Sequence, residues 1–150
     1  MLVEVLSVAA RRILIVEDET MIAMMVEDFL TELGWDVVAM VGSLDRALAM
    51  ARDADIDAAV LDVNLNGQDS FAAADVLWER NIPFVFATGY GSDGITDRFR
   101  NVPILTKPFH RDDLDRALYQ AMSVTGDSPR SQAATDKTAG PSAPPGLLPR

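Results

Sequence analysis

The stretch Ile13-Leu14-Ile15-Val16-Glu17-Asp18-Glu19 runs four aliphatic residues straight into three carboxylates. Four consecutive apolar side chains leave no polar face, the pattern of a strand covered on both sides and so of a parallel sheet between helical layers. The next segment, Met21–Leu33, is helical in period, with Ile22, Val26, Phe29, Leu30 and Leu33 on one face. Gly34 stands where such a helix needs a left-handed residue. A second strand follows at Val37–Val41, and Ser43 can cap a helix whose face is Leu44, Ala47, Leu48 and Ala51. Ala58–Asp62 reads as the third strand, and the loop Asn64–Gly67 leads to a helix with Phe71, Ala74, Leu77 and Trp78 inward. Pro83–Thr88 and Val102–Thr106 are the fourth and fifth strands. Pro103 would remove a ladder donor, which places the fifth at a sheet edge. The last helix runs from Asp112 to Met122 with Leu114, Ala117, Leu118 and Ala121 on its core face. Gly89–Arg100 holds three glycines and few apolar residues, so a fourth helix there is expected to be short and marginal. The whole predicts an α/β, flavodoxin-like, doubly wound five-stranded parallel sheet of order 2-1-3-4-5 in one domain.

The 150 residues carry 23 acidic against 13 basic side chains, a formal net charge of −10. That balance argues against nucleic-acid binding, which needs clustered Lys and Arg to neutralise phosphates. Cysteine is absent, which excludes disulfides, thiolate metal sites and cysteine nucleophiles. No apolar run approaches the roughly 20 residues of a membrane span. The charges Arg11 and Arg12 follow the mildly apolar Met1–Ala10 instead of preceding it, the reverse of a secretory signal. A cytoplasmic protein with no membrane partner is therefore expected. Composition divides the chain into an N-terminal extension (1–11), a folded domain (12–122) and a tail (123–150) rich in Pro, Ser and Ala, expected to be disordered and too polar to form an output domain.

In open parallel sheets ligands bind beyond the carboxyl ends of the strands. Here strand one ends in Glu17-Asp18-Glu19, strand three in Asp62, strand four in Thr88 and strand five in Lys107. Carboxylates gathered on one rim repel by about 4 kcal/mol per pair at roughly 4 Å and a dielectric near 20, so a proton or a cation must relieve them. A hard, all-oxygen site suits Mg²⁺ or Mn²⁺. Lys107 is the sole lysine between residues 12 and 122, a compact point charge for a carboxylate or a phosphoryl oxygen. His110, the one histidine, is read as a capping or surface residue. Among the methionines of the first helix, Met24 is expected to be exposed near the rim, and Met21 and Met25 to pack in the core.

Taken in order, the pieces Ile13–Glu19, Val60-Leu61-Asp62-Val63-Asn64-Leu65, Phe86-Ala87-Thr88-Gly89 and Leu105-Thr106-Lys107-Pro108-Phe109 resemble the receiver domain of bacterial two-component response regulators. The Phe86-Ala87-Thr88-Gly89-Tyr90 run is similar to a stand-alone subgroup bearing that signature. The resemblance implies that Asp62 is the phosphoacceptor. It implies that Asp18, Asp62 and the backbone carbonyl of Asn64 hold Mg²⁺, with Glu17 acting through water. Lys107 would pair with Asp62 at rest and with a phosphoryl oxygen afterwards, and Thr88 would move its hydroxyl onto the phosphoryl group. It also implies a cis Lys107-Pro108 bond, and that Asn64 and Tyr90 tune hydrolysis. The partners implied are a sensor histidine kinase or phosphotransferase and a downstream protein. Docking would use the fourth and fifth helices and the fifth strand. Catalysis would be limited to self-phosphorylation and slow autodephosphorylation. Family members usually carry an aromatic switch residue three positions before the lysine, where this chain has Ile104. Tyr90, with the glycine-rich Gly89–Gly94, is the expected substitute. A Mg²⁺-dependent phosphohydrolase built on an aspartyl nucleophile is disfavoured, because its general acid would stand at Asn64. A flavin protein is disfavoured for want of a Ser/Thr-rich phosphate loop, and a non-phosphorylated binding module by the intact set of five rim residues.

Overall fold

The computed structural model describes residues 10–91 and 94–126. Most of the expected N-terminal extension and tail therefore lies outside the described residues. Five strands form the sheet: β1 (Arg12–Val16), β2 (Asp36–Val41), β3 (Ala58–Asp62), β4 (Phe84–Thr88) and β5 (Ile104–Thr106). Every neighbouring pair is parallel and the order is β2-β1-β3-β4-β5, the predicted topology. β5 lies at the edge, as Pro103 required. The proline sits just before the strand, and its carbonyl accepts from the Phe86 amide at 3.0 Å.

The helices are α1 (Thr20–Glu32), α2 (Leu44–Asp53), α3 (Phe71–Glu79) and α4 (Arg111–Gly126), the last continuing past the expected end at Met122. Alternate residues of each central strand feed two cores. Ile13, Ile15, Val60, Val85 and Leu105 pack under α1 and α4 beside Val26, Leu30, Leu114 and Leu118. Leu14, Val16, Leu61, Phe84 and Phe86 pack under α2 and α3 beside Ala47, Ala51, Ala74 and Leu77. Continuous apolar strands follow from this two-sided cover. Ser43 Oγ accepts from the Arg46 amide at 3.3 Å and caps α2, and Gly34 ends α1 with φ +94°.

Two expectations fail, those for Trp78 and Met21, while the short, marginal fourth helix is reduced to a single turn. Where a fourth helix was read, a 3₁₀ turn at Asp97–Phe99 is the only helical element described. The segment lacks an apolar stripe; Phe99 is its buried anchor, its ring 5.5 Å from Phe86 and 5.6 Å from Phe71, with Ile95 packed at the core's margin. Trp78 is exposed, because Ala73, Ala74 and Leu77 already fill the contact of α3 with the core. Met21 is 83% exposed, lying off the buried Ala23, Val26, Leu30 stripe. Met24 is exposed as expected.

Candidate functional site

Parallel neighbours end at the same edge, so the loaded strand termini converge. Asp62 is the last residue of β3 and Thr88 the last of β4, while Glu17 and Asp18 follow β1 and Lys107 follows β5. Glu17, Asp62 and Thr88 are buried although polar. Their burial is compatible with folding because each is hydrogen-bonded.

The Lys107 ammonium donates to Glu17 Oε1 at 2.9 Å and to Asp62 Oδ2 at 3.1 Å. Glu17 Oε2 accepts from the Glu19 amide at 3.0 Å, and Asp62 Oδ1 from the Asn64 amide at 3.2 Å. Asp18 Oδ2 accepts from the Asn66 amide at 3.0 Å. Thr88 Oγ1 accepts from the Tyr90 amide at 3.0 Å, and its carbonyl from the Lys107 amide at 2.9 Å. That last bond fixes β5 to β4 at the point where the lysine departs, next to a cis Lys107-Pro108 peptide.

Among the described residues, Glu17, Asp18 and Asp62 bring one carboxylate oxygen each to within 4.8 Å of one another. Burial pushes the Glu17 carboxyl up to about 7, with the Asp62 charge adding to the rise and the Lys107 hydrogen bond opposing it. Burial alone would lower the Lys107 ammonium, but the hydrogen bonds and charges of Glu17 and Asp62 outweigh it and hold it above the ordinary lysine value. Three carboxylates against one ammonium leave a formal charge of −2, and all the donors are oxygens. This set fits a hard divalent cation such as Mg²⁺ or Mn²⁺.

Two features escaped the sequence reading. Lys107 bridges Glu17 as well as Asp62, so both Glu17 oxygens are engaged by the protein. The loop after Asp62 is a small hairpin, Asn64–Leu65 against Gln68–Asp69, turning through Asn66 (φ +53°) and Gly67 (φ +90°). An Asn-Gly dipeptide is the signal for such a turn. The hairpin delivers the Asn66 amide to Asp18, and Asn64 Oδ1 accepts from the Gly67 amide at 2.8 Å. Tyr90 joins the site through its backbone only; its side chain is 75% exposed. Ile104 pairs with Phe86 in register and packs against the core beneath α2 and α3. His110 is on the surface, its amide donating to Asp113 Oδ2 at 3.0 Å at the start of α4.

The sequence profile of the response regulator receiver domain matches residues 13–119. The solution structure of SdrG from Sphingomonas melonis Fr1 is 49% identical, with a TM-score of 0.70 over 77% of this chain and 98% of that one. The BeF3-activated conformation of SdrG, from Pseudomonas melonis Fr1, aligns at the same 49% identity with a TM-score of 0.64, covering 75% of this chain and 98% of that one. The transcriptional regulatory protein PdtaR of Mycobacterium tuberculosis is 32% identical over 117 residues, 75% of this chain and 57% of PdtaR. The chain spans about half the length of the curated relatives it matches.

Proposed function

Because the chain belongs to the response regulator receiver domain family of two-component systems, we propose that it takes a phosphoryl group onto Asp62 from a sensor histidine kinase or a phosphotransferase. It then signals by docking to a downstream protein or by passing the group on. The observation that carries this reading is the partly buried Lys107 ammonium between Glu17 and Asp62, at 2.9 and 3.1 Å, beside the three-carboxylate cluster.

In the proposed reaction an Asp62 carboxylate oxygen attacks phosphorus in line. The oxygen–phosphorus bond forms as the phosphorus–nitrogen bond of phosphohistidine breaks, and the electron pair leaves on the imidazole nitrogen. Asp18, Asp62 and the Asn64 carbonyl would hold Mg²⁺ or Mn²⁺, with Glu17 acting through water, and the ion would supply charge neutralisation to the phosphoryl oxygens. The remaining work belongs to the chain. The Asn64 amide orients Asp62 through Oδ1, and the Asn66 amide holds Asp18. Lys107 exchanges its Asp62 contact for a phosphoryl oxygen, a point charge in a partly buried setting where it counts for more than in water. Thr88 turns its hydroxyl from the Tyr90 amide to the phosphoryl group, and that movement begins the switch. With Ile104 in place of the usual aromatic, Tyr90 and the glycine-rich segment carry the response. The Phe86-Ala87-Thr88-Gly89-Tyr90 run is taken as the mark of the receiver subgroup to which the chain is assigned.

The test is intact-mass measurement after incubation with acetyl phosphate and Mg²⁺. Wild type is expected to gain one phosphoryl group, and Asp62→Ala none. Equal labelling of the two proteins, or none of wild type, would overturn the reading.

A further inference from the structure

The chain holds four asparagines, followed in turn by Leu65 after Asn64, Gly67 after Asn66, Ile82 after Asn81 and Val102 after Asn101. Asparagine is chemically labile, because its side-chain carbonyl carbon stands one five-membered ring away from the next residue's amide nitrogen. A branched neighbour crowds that approach, and glycine leaves it open. The fold singles out the same position. Asn66 and Gly67 are both exposed at the tip of the hairpin, and a Cβ built on Gly67 would meet nothing within 4 Å. The Asn66 side-chain amide has no hydrogen bond among the described residues, whereas Asn64 Oδ1 is engaged by the Gly67 amide and Asn81 Oδ1 is buried. One restraint opposes reaction. The Gly67 N–H donates to Asn64 Oδ1 at 2.8 Å across a turn with φ of +53° and +90°, so its nitrogen can attack only when that bond lets go.

We propose that Asn66 is a site of spontaneous deamidation, gated by the Asn64–Gly67 hydrogen bond, and that its isoaspartyl product dismantles the support of Asp18. The Gly67 nitrogen gives its proton to solvent base and bonds to Asn66 Cγ. The Cγ–Nδ2 bond breaks, its electron pair leaving with the nitrogen as ammonia, and a succinimide remains. Water then opens the ring. Attack at Cγ gives aspartate, and attack at the main-chain carbonyl gives isoaspartate, whose backbone runs through Cβ and Cγ and is one atom longer. The hairpin pairs Asn64 with Asp69 and Leu65 with Gln68, so its loop is only two residues and has no room for that atom. The Asn66 amide, which donates to Asp18 Oδ2 at 3.0 Å, would be displaced, and a new carboxylate would stand beside the acidic rim. The effect on Mg²⁺ rests on the rim being the metal site proposed above, whereas the modification does not.

The full chain is aged in warm, mildly alkaline buffer, digested, and read by peptide mass, fragmentation and isoaspartyl methyltransferase labelling. The expected result is replacement of NH by O at Asn66, with the methyl label, and no change at Asn64, Asn81 or Asn101. Asn64→Ala, which frees the Gly67 nitrogen, is expected to age severalfold faster, and Asn64→Asp, which keeps an acceptor oxygen, no faster than wild type. Fresh and isoaspartyl chains, separated by charge, are then titrated with Mg²⁺. The isoaspartyl form is expected to bind roughly tenfold more weakly. Freshly purified Asn66→Asp, which adds the charge without lengthening the backbone, should bind as tightly as fresh wild type. An Asn66 that stays intact in the folded chain while converting in urea would overturn the proposal, as would equal ageing of wild type and Asn64→Ala. Equal Mg²⁺ affinity of the fresh and isoaspartyl forms would overturn the stated consequence. Absence of Mg²⁺ binding by fresh wild type would instead overturn the metal site itself, and the consequence with it.

Discussion

Gly42 has no side chain at the point where β2 gives way to α2, and the active rim depends on that. A Cβ placed there would stand 3.3 Å from the Asp18 Cα and 3.4 Å from the Glu17 carbonyl oxygen, both backbone atoms of the acidic turn. Glu17 is already committed to β2 through its amide, which donates to the Val41 carbonyl at 2.9 Å. The turn bearing the carboxylates therefore has little freedom to retreat. Gly42→Ala should cost a few tenths of an ångström of adjustment. Gly42→Val should push Asp18 off the Asn66 amide and weaken Mg²⁺ binding roughly tenfold, the scale at which supporting contacts tune a metal site. Titration calorimetry with Mg²⁺ on the wild type and both variants checks this, and equal affinities for all three would refute it. Nothing in the sequence marked this glycine, because the contact joins positions 17–18 with 42 and has no local signature.

The segment between β4 and β5 is held chiefly by one ring, with Val102 buried and Ile95 packed beside it. Phe99 is 2% exposed and packs against Phe71, Phe84 and Phe86 with centroid distances of 5.6, 6.1 and 5.5 Å. Its neighbour Arg98 makes a bidentate pair with Asp75 of α3 and lies 4.6 Å over the Phe99 ring, but both charged side chains are half exposed. The two contacts should therefore differ sharply in weight. Phe99→Ala is expected to lower stability by about 3–5 kcal/mol, and Arg98→Ala by about 1 kcal/mol or less. Urea unfolding measures both, and comparable losses would refute the ranking. The same segment shows what the sequence made legible and what it hid. The strands were readable because burial on both faces leaves unbroken aliphatic runs, and their loaded ends named every side chain of the rim. The helix expected at Gly89–Arg100 was not readable as a 3₁₀ turn, since its main anchor gains its partners from α3 and β4. The hairpin at Asn64–Asp69 was read as a loop although its Asn66-Gly67 turn is a known signal. The bridge from Lys107 to Glu17 was hidden because it depends on how three strand ends are spaced laterally.

At the scale of the molecule, the acidic rim is only partly offset by Lys107 in a chain of net charge −10. Glu17 holds its proton up to about 7 in the folded state, against a carboxyl near 4.5 when unfolded. The native state therefore binds the extra proton, and this contribution to stability is complete below pH 4.5 and lost as pH rises through 7. The raised Lys107 acts in the same direction but only above the ordinary lysine range, outside that window. In metal-free buffer the protein should lose on the order of 1 kcal/mol between pH 5.5 and 8. Mg²⁺ should restore stability at pH 8 more than at pH 5.5, where the proton competes with it. Denaturant melts at the two pH values, with EDTA or with Mg²⁺, test this. A Mg²⁺ effect of equal size at both would contradict it.

Lys107 lies 90 residues from Glu17 and 45 from Asp62, yet touches both. A growing polypeptide thus exposes Asp62 well before the countercharge has been synthesised, and the two meet only when the final strand slots against its neighbour. Under the proposed function, readiness to receive a signal is thereby tied to completion of the architecture, and half-made copies would have no means of answering.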